Sequence, residues 1–213
     1  MMGYEVDPVI VDQAIRMSGA VQHVATPIAA TPWQDVPALY ERLPATSAGQ
    51  CCRFLLLTLV RVHAGAGLRL GEVDLDAGVW TVPSDRVKGS ENGATNFRVP
   101  LSGAAMALIA DQRNFFDDVL FPGPRGQPIK DFALKLCLDR LGETGRPHGF
   151  RTSFRTWVQD TDSCSWEVSE TVLGHQIGGR VERSYARSDM LDRRRIVMEA
   201  WARFVTGRET EPK

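Results

Sequence analysis

The stretch Cys51-Cys52-Arg53-Phe54-Leu55-Leu56-Leu57-Thr58-Leu59-Val60-Arg61 constrains this chain more than any other. Its apolar run, Phe54 to Val60, is broken by Thr58 and closed by Arg61. A bilayer span needs about 20 apolar residues, so the run reads as a helix of a globular core. Ser47-Ala48-Gly49-Gln50 has the pattern of a capping box and opens that helix. The charge that closes it needs a partner or an anionic ligand. With 43% apolar and 24% charged residues, the rest of the chain is ordinary for one globular domain. The N-terminus, MMGYEVDPV, has acids where a secretory signal needs bases. Cys51, Cys52, Cys137 and Cys164 fit no metal-ligand spacing and read as reduced thiols of a cytoplasmic protein.

Residues 1–30, small, apolar and proline-punctuated, read as a linker or N-terminal extension. The folded domain is expected over 31–206, with a disordered tail at 207–213. Thr31-Pro32-Trp33-Gln34 looks like a capping box with proline at the first helical position, followed by Val36, Leu39, Tyr40 and Leu43 on one face. After HAGAGLRLGE the pattern turns to strands: EVDLD, GVWTVP and FRVPL. An Asp76-Ala77-Gly78 turn joins the first two, and the polar loop VKGSENGATN leads to the third. Ser102 is placed to cap SGAAMALIADQ. Asp131 begins a helix in which Phe132, Leu134, Leu136 and Leu138 are expected to be mostly buried. Shorter helices follow at about 150–159, 166–173 and 179–186, with a last one from Leu191 to Val205. The expected class is mainly α with a small three-stranded antiparallel β-sheet (α+β).

The net charge of −1 argues against a protein that holds nucleic acid by electrostatics alone. The distribution is less even: residues 1–44 carry 2 basic and 5 acidic side chains, residues 145–213 carry 12 and 10. All but one of those 12 cations are arginines, whose planar fork matches phosphate oxygens. A solvated arginine-rich surface is the plainer alternative.

Four features of the sequence could carry chemistry. In His148-Gly149-Phe150-Arg151 an imidazole and a guanidinium three residues apart fall on one side of a helical turn. In Leu173-Gly174-His175 a glycine stops a helix and presents a histidine just past its end. Tyr185 follows in the polar setting VERSYARSD. Arg61 is the fourth.

On these residues the chain resembles the tyrosine recombinases, the phage-integrase family, and in particular integrases of bacterial genomic islands and prophages. The matching positions are Arg61 in LLLTLVR, Lys88 in DRVKG, His148 and Arg151 in HGFR, His175 in LGH, and Tyr185. DLDAGVWTVP, RVPLS, LFPGPRG and RRRIVMEAWARFV extend the likeness from Trp33 to Val205. The resemblance implies site-specific DNA recombination, an integrase reaction that passes through a 3′-phosphotyrosyl intermediate. It implies Arg61, Lys88, His148, Arg151, His175 and Tyr185 as catalytic residues, and no cofactor or metal. The partners it implies are double-stranded DNA attachment sites and further copies of the chain in a homotetramer on DNA, with no membrane. Relatives carry an N-terminal DNA-clamping domain, and that domain is expected to be missing here.

The chemistry fits those residue types. Tyrosine, with a pKa near 10, is only about 0.1% phenolate at pH 7, so its attack needs a base within reach. Two arginines can hold the non-bridging oxygens of a scissile phosphate, and Lys88 can protonate the leaving 5′-hydroxyl. The sequence departs from the family in two places. Arg69, in GLRLGE, competes with Arg61 for the first arginine position, and Ala64 stands where the family prefers an acid. The loop after Lys88 is also longer and less basic than usual. Other readings are a DNA-binding module that does not cut, a type IB topoisomerase-like activity, and an assembly fragment.

Overall fold

The computed structural model describes residues 28–87, 95–112, 118–175 and 188–207. After a 3-10 turn at Trp33–Asp35 come helices α1 (Val36–Arg42), α2 (Ser47–Thr58) and the short α3 (Val62–Ala66). Strands β1 (Val73–Asp74), β2 (Val79–Val82) and β3 (Phe97–Pro100) follow. The chain continues through α4 (Gly103–Gln112), α5 (Asp131–Arg140), α6 (Phe150–Thr161), α7 (Trp166–Val172) and α8 (Leu191–Val205). The strands form one antiparallel sheet in the order β1-β2-β3, with Trp80 opposite both Val73 and Val99. This is the mainly helical, one-sheet architecture expected. The helix expected at 179–186 lies outside the described residues.

Helix α2 is the centre of the molecule, buried from Cys51 and Cys52 through Phe54 to Thr58 and packed against α4, α5, α6 and α8. Thr58 avoids a stranded hydroxyl by donating to the Phe54 carbonyl at 2.7 Å. Trp201 of α8 donates its indole N–H to the Leu56 carbonyl at 2.7 Å, tying the last helix to the first core helix. Trp80, Trp157 and Trp201 are all buried, as their sequence settings imply. All four cysteines are free thiols.

Three local expectations are corrected by the structure, two by tertiary contacts and one by the helix period. The cap of α2 is Thr46, whose hydroxyl accepts from Gly49 N at 3.3 Å. Ser47 is already helical and donates instead to the Pro122 carbonyl at 2.7 Å. The Thr31 box does not form: no side chain caps the 3-10 turn, and the Thr31 carbonyl accepts from Ser153 of α6 at 2.5 Å. In α5, Phe132 is 73% exposed and Leu136 is half-buried, while Leu134, Cys137 and Leu138 face the core. Every-second-residue spacing cannot hold to one face of a helix with 3.6 residues per turn.

The arginine-rich C-terminal third is partly structural. Arg194 of α8, almost fully buried, donates to the Arg98 carbonyl at 2.7 Å and lies over the Phe97 ring. Arg195 donates to the carbonyls of Ala77 at 3.0 Å and Gly78 at 3.3 Å, holding the β1–β2 turn. Those forks grip backbone, so they are not free to meet phosphate.

Residues 28–31 lie as a strap across the loop that carries His148. The Ala29 carbonyl accepts from Arg146 N at 2.9 Å, and a side-chain carbon on Gly149 would sit 2.4 Å from the Ala29 oxygen. Gly149 has ordinary helical angles, φ −63 and ψ −21, so alanine would otherwise be favoured there. Gly149→Ala is therefore expected to destabilise the fold by about 1–3 kcal/mol through overpacking alone, measured by urea denaturation. A neutral or stabilising result would show that the strap does not bear on this loop.

Candidate active site

Helix α2 ends on Leu59, a fully buried residue in the left-handed conformation at φ +58. Such a conformation is unfavourable for leucine and persists only where packing over-determines it. The reversal delivers Arg61, half-buried, to the start of α3, where its carbonyl accepts from Gly65 N at 3.0 Å. Among the described residues Arg61 forms no ion pair, and burial lowers the pKa of its guanidinium. The buried Ala64 offers it no carboxylate.

Arg151, in the first turn of α6, is 6% exposed. Nη1 donates to the Leu59 carbonyl at 2.6 Å, and Nη2 donates to the Leu173 carbonyl at 2.5 Å and approaches His175 Nε2 at 3.0 Å. Leu59 and Leu173 are the C-caps of α2 and α7, so the guanidinium bridges the negative ends of two helices. Burial pushes its pKa down to about 10, the Arg61 charge pushes the same way, and Glu170 opposes them.

The turn carrying His175 is a Schellman motif. Gly174, at φ +61, donates to Thr171 O at 3.0 Å, and His175 N donates to Glu170 O at 3.0 Å. The positive φ suits glycine, and the turn passes close to Arg61: a side-chain carbon on Gly174 would lie 3.8 Å from Arg61 Nη1. His148 is exposed in the 3-10 turn that precedes α6. Neighbouring atoms still cover part of its ring, and its pKa is lowered below 6.5, first by that partial desolvation and then by the charges of Arg151, Arg61 and His175, with Asp131 opposing. Arg61, His148, Arg151 and His175 thus lie within electrostatic reach of one another. Arg69 lies apart: it is exposed, paired with Asp118 at 2.8 Å, and that hydrogen-bonded carboxylate raises its pKa.

Lys88 and Tyr185 lie outside the described residues. Arg86 and Val87, which precede Lys88, line a cavity of about 40 Å³ together with Arg61, Arg151, Phe97 and Gly174. Two residues at the site carried no clear motif in the sequence. Arg86 bonds the Gly67 carbonyl and Glu72, and so fixes the start of the β2–β3 connection against α3. Glu170 places Oε2 2.8 Å from His175 Nδ1. Its signal was an acid in the last turn of a helix, where the helix dipole is unfavourable for negative charge. Arg155 of α6 sits 2.8 Å from Glu170 Oε1. That contact is an ion pair without hydrogen-bond alignment.

With this geometry in view, comparison with known proteins agrees with the resemblance read from the motifs. Residues 34–191 match the phage integrase family, and the chain belongs to it. Prophage integrase IntA of Escherichia coli (strain K12) is 29% identical over 177 residues, 79% of this chain and 42% of that protein. The chain spans about half the length of the curated relatives it matches. Among solved structures, the integrase from mycobacterium phage Brujita superposes with a TM-score of 0.62 at 18% identity, over 90% of this chain and 62% of that one. The Tn1549 transposon integrase, in complex with a circular intermediate DNA, gives a TM-score of 0.59 at 12% identity, over 79% of this chain and 68% of that one. These structures share the catalytic-domain fold with the chain.

His148 provides an electrostatic test. Its folded-state pKa is depressed, so the unfolded chain binds the proton more tightly, and this residue's contribution to stability is lost as pH falls through the ordinary histidine range. In a pH titration followed by NMR, the His148 midpoint is expected below 6.5, and Arg61→Gln is expected to raise it by removing one of the three repelling charges. An unchanged midpoint in that variant would place Arg61 outside the cluster.

Proposed function

We propose that the chain catalyses the strand cleavage and rejoining of site-specific DNA recombination, as an integrase of the tyrosine recombinase type. The observation that carries this reading is the convergence of Arg61, Arg151, His148 and His175, which sets two guanidinium charges beside two imidazole groups. A phosphodiester supplies the anion that such a site lacks. Arg61 and Arg151 hold the non-bridging oxygens of the scissile phosphate and meet the charge that builds in the transition state. Only three of the five guanidinium N–H groups of Arg151 are engaged by Leu59, Leu173 and His175, which leaves donors for a phosphate.

Tyr185, ten residues beyond His175 in the sequence, is the nucleophile that family likeness assigns. Its phenol needs a base at the moment of attack, and a histidine of the cluster receives that proton. The phenol oxygen bonds to phosphorus, the bond to the 5′ oxygen breaks, and Lys88 gives that oxygen its proton. The 3′-phosphotyrosyl bond conserves the energy of the broken phosphodiester, so a 5′-hydroxyl from another strand can reverse the step. Double-stranded attachment-site DNA is the substrate, and exchange of strands takes place in a homotetramer on it. The DNA complexes solved for the Tn1549 transposon integrase and for lambda integrase, bound to a core site, support the choice of substrate.

A module that binds DNA without cutting it is favoured by one observation, the buried alanine at position 64 beside an Arg61 that has no ion pair among the described residues. Covalent trapping separates the two. On nicked duplexes at low salt without added metal, the chain is expected to form a denaturant-resistant DNA adduct, lost in Tyr185→Phe. Arg61→Lys is expected to lower the rate by about 10²–10³-fold, while Arg69→Ala leaves it unchanged. Binding without an adduct, from the chain alone and from the chain fused to a DNA-clamping domain, would overturn the cleavage reading.

A further inference from the structure

We propose that Glu170 is a positioning residue for His175: its buried carboxylate holds the imidazole as the Nδ1–H tautomer, so that the lone pair of Nε2 faces Arg151, which lines a pocket with Arg61. The role rests on the phosphoryl-transfer reading of that pocket, whereas the tautomer itself follows from the contacts.

Arginine has only donors, so the 3.0 Å approach of Arg151 Nη2 to His175 Nε2 requires a lone pair on Nε2. A neutral imidazole then carries its proton on Nδ1, which lies 2.8 Å from Glu170 Oε2. The carboxylate accepts that hydrogen bond, and the two contacts agree on a single tautomer. Glu170 grips the same residue twice, because its own main-chain carbonyl accepts from His175 N at 3.0 Å. Backbone and side chain of one residue therefore set both the position and the ring orientation of the histidine.

The site of this acid is otherwise unfavourable. Its side chain is 8% exposed, and it stands in the last turn of α7, where the helix dipole repels negative charge. Arg155 from α6 lies 2.8 Å from its second oxygen and balances the charge. The chain of contacts runs Arg155, Glu170, His175, Arg151. Its last member is the guanidinium that binds the phosphate under the proposed function, so Nε2 becomes the imidazole nitrogen that can take up a proton once a phosphate oxygen draws the Arg151 N–H away from it.

The test uses the whole chain with isotope-labelled histidine. Nitrogen and carbon chemical shifts of His175 are expected to report Nδ1–H in the wild type at neutral pH. Glu170→Met keeps the volume and helix propensity but removes the acceptor, and is expected to shift His175 toward Nε2–H. Glu170→Gln can still accept through its amide oxygen and is expected to retain the original tautomer. Amide spectra check that each variant is folded. In covalent trapping on nicked duplexes, Glu170→Met is expected to slow adduct formation about tenfold or more, with Glu170→Gln nearer the wild type and DNA affinity unchanged in both.

An Nε2–H wild type, or a tautomer indifferent to Glu170→Met, would overturn the proposal. So would a shifted tautomer with an unchanged adduct rate. A wild-type chain that shows the tautomer but forms no adduct, either alone or fused to a DNA-clamping domain, would defeat the phosphoryl-transfer reading and leave the assignment of the tautomer to Glu170 standing. Should Glu170→Met fail to fold, the wild-type tautomer and the Glu170→Gln pair decide the matter by themselves.

Discussion

A single buried guanidinium, that of Arg151, ties two helix ends of this molecule together. Arg151 joins the carbonyl ends of α2 and α7 by donating to Leu59 and Leu173. Burying a charge is expensive unless it is paired and hydrogen-bonded, and here the compensation comes from two convergent helix dipoles instead of a direct carboxylate partner. The consequence is functional. A guanidinium neutralised by an acid at short range would have little attraction left for a phosphate, whereas one held by carbonyls keeps its full charge and its remaining donors.

The neighbours of Arg151 follow from that arrangement. The left-handed turn at Leu59 both offers the carbonyl and swings Arg61 to the same place. The Schellman turn at Gly174 offers the second carbonyl side of the bridge and presents His175, while the strap at residues 28–31 presses on the glycine between His148 and Arg151. Positive charge is thereby concentrated in a chain whose net charge is −1. Arginines elsewhere, such as Arg194 and Arg195, are occupied in holding α8 to the sheet. Overall charge is therefore a poor guide to what this surface attracts, because the local field depends on which forks are left open.

Much of the fold was legible in the sequence because its signals are local. The strands around Trp80, the turn at Gly78, the cap at Ser102 and the helix stop at Gly174 depend on residues a few positions apart. Two of the readings that failed were those in which a distant contact decided between local options, and the third overlooked the helix period. Thr46 replaced Ser47 as a cap because Ser47 could reach Pro122, and Thr31 was drawn to Ser153. Phe132 turned outward because the helix period overrode an alternating apolar pattern. At the site, the H-x-x-R and L-G-H motifs were visible as words. Glu170 was not, since an acid on a short helix looks like any solvated charge until its partners are in place.

By itself the sequence determined the class of the domain, the family and the four groups His148, Arg151, His175 and Arg61 or Arg69, because spacing within a helix turn or around a glycine stop is set by covalent geometry. Only the tertiary structure shows where each of the two arginines lies. It brings Arg61 within electrostatic reach of His148 and Arg151 and pairs Arg69 with Asp118 at the surface. The reason is physical: charge proximity across 90 residues of chain depends on how helices pack and where they end, and no local pattern encodes which of two nearby arginines will be carried to the meeting point.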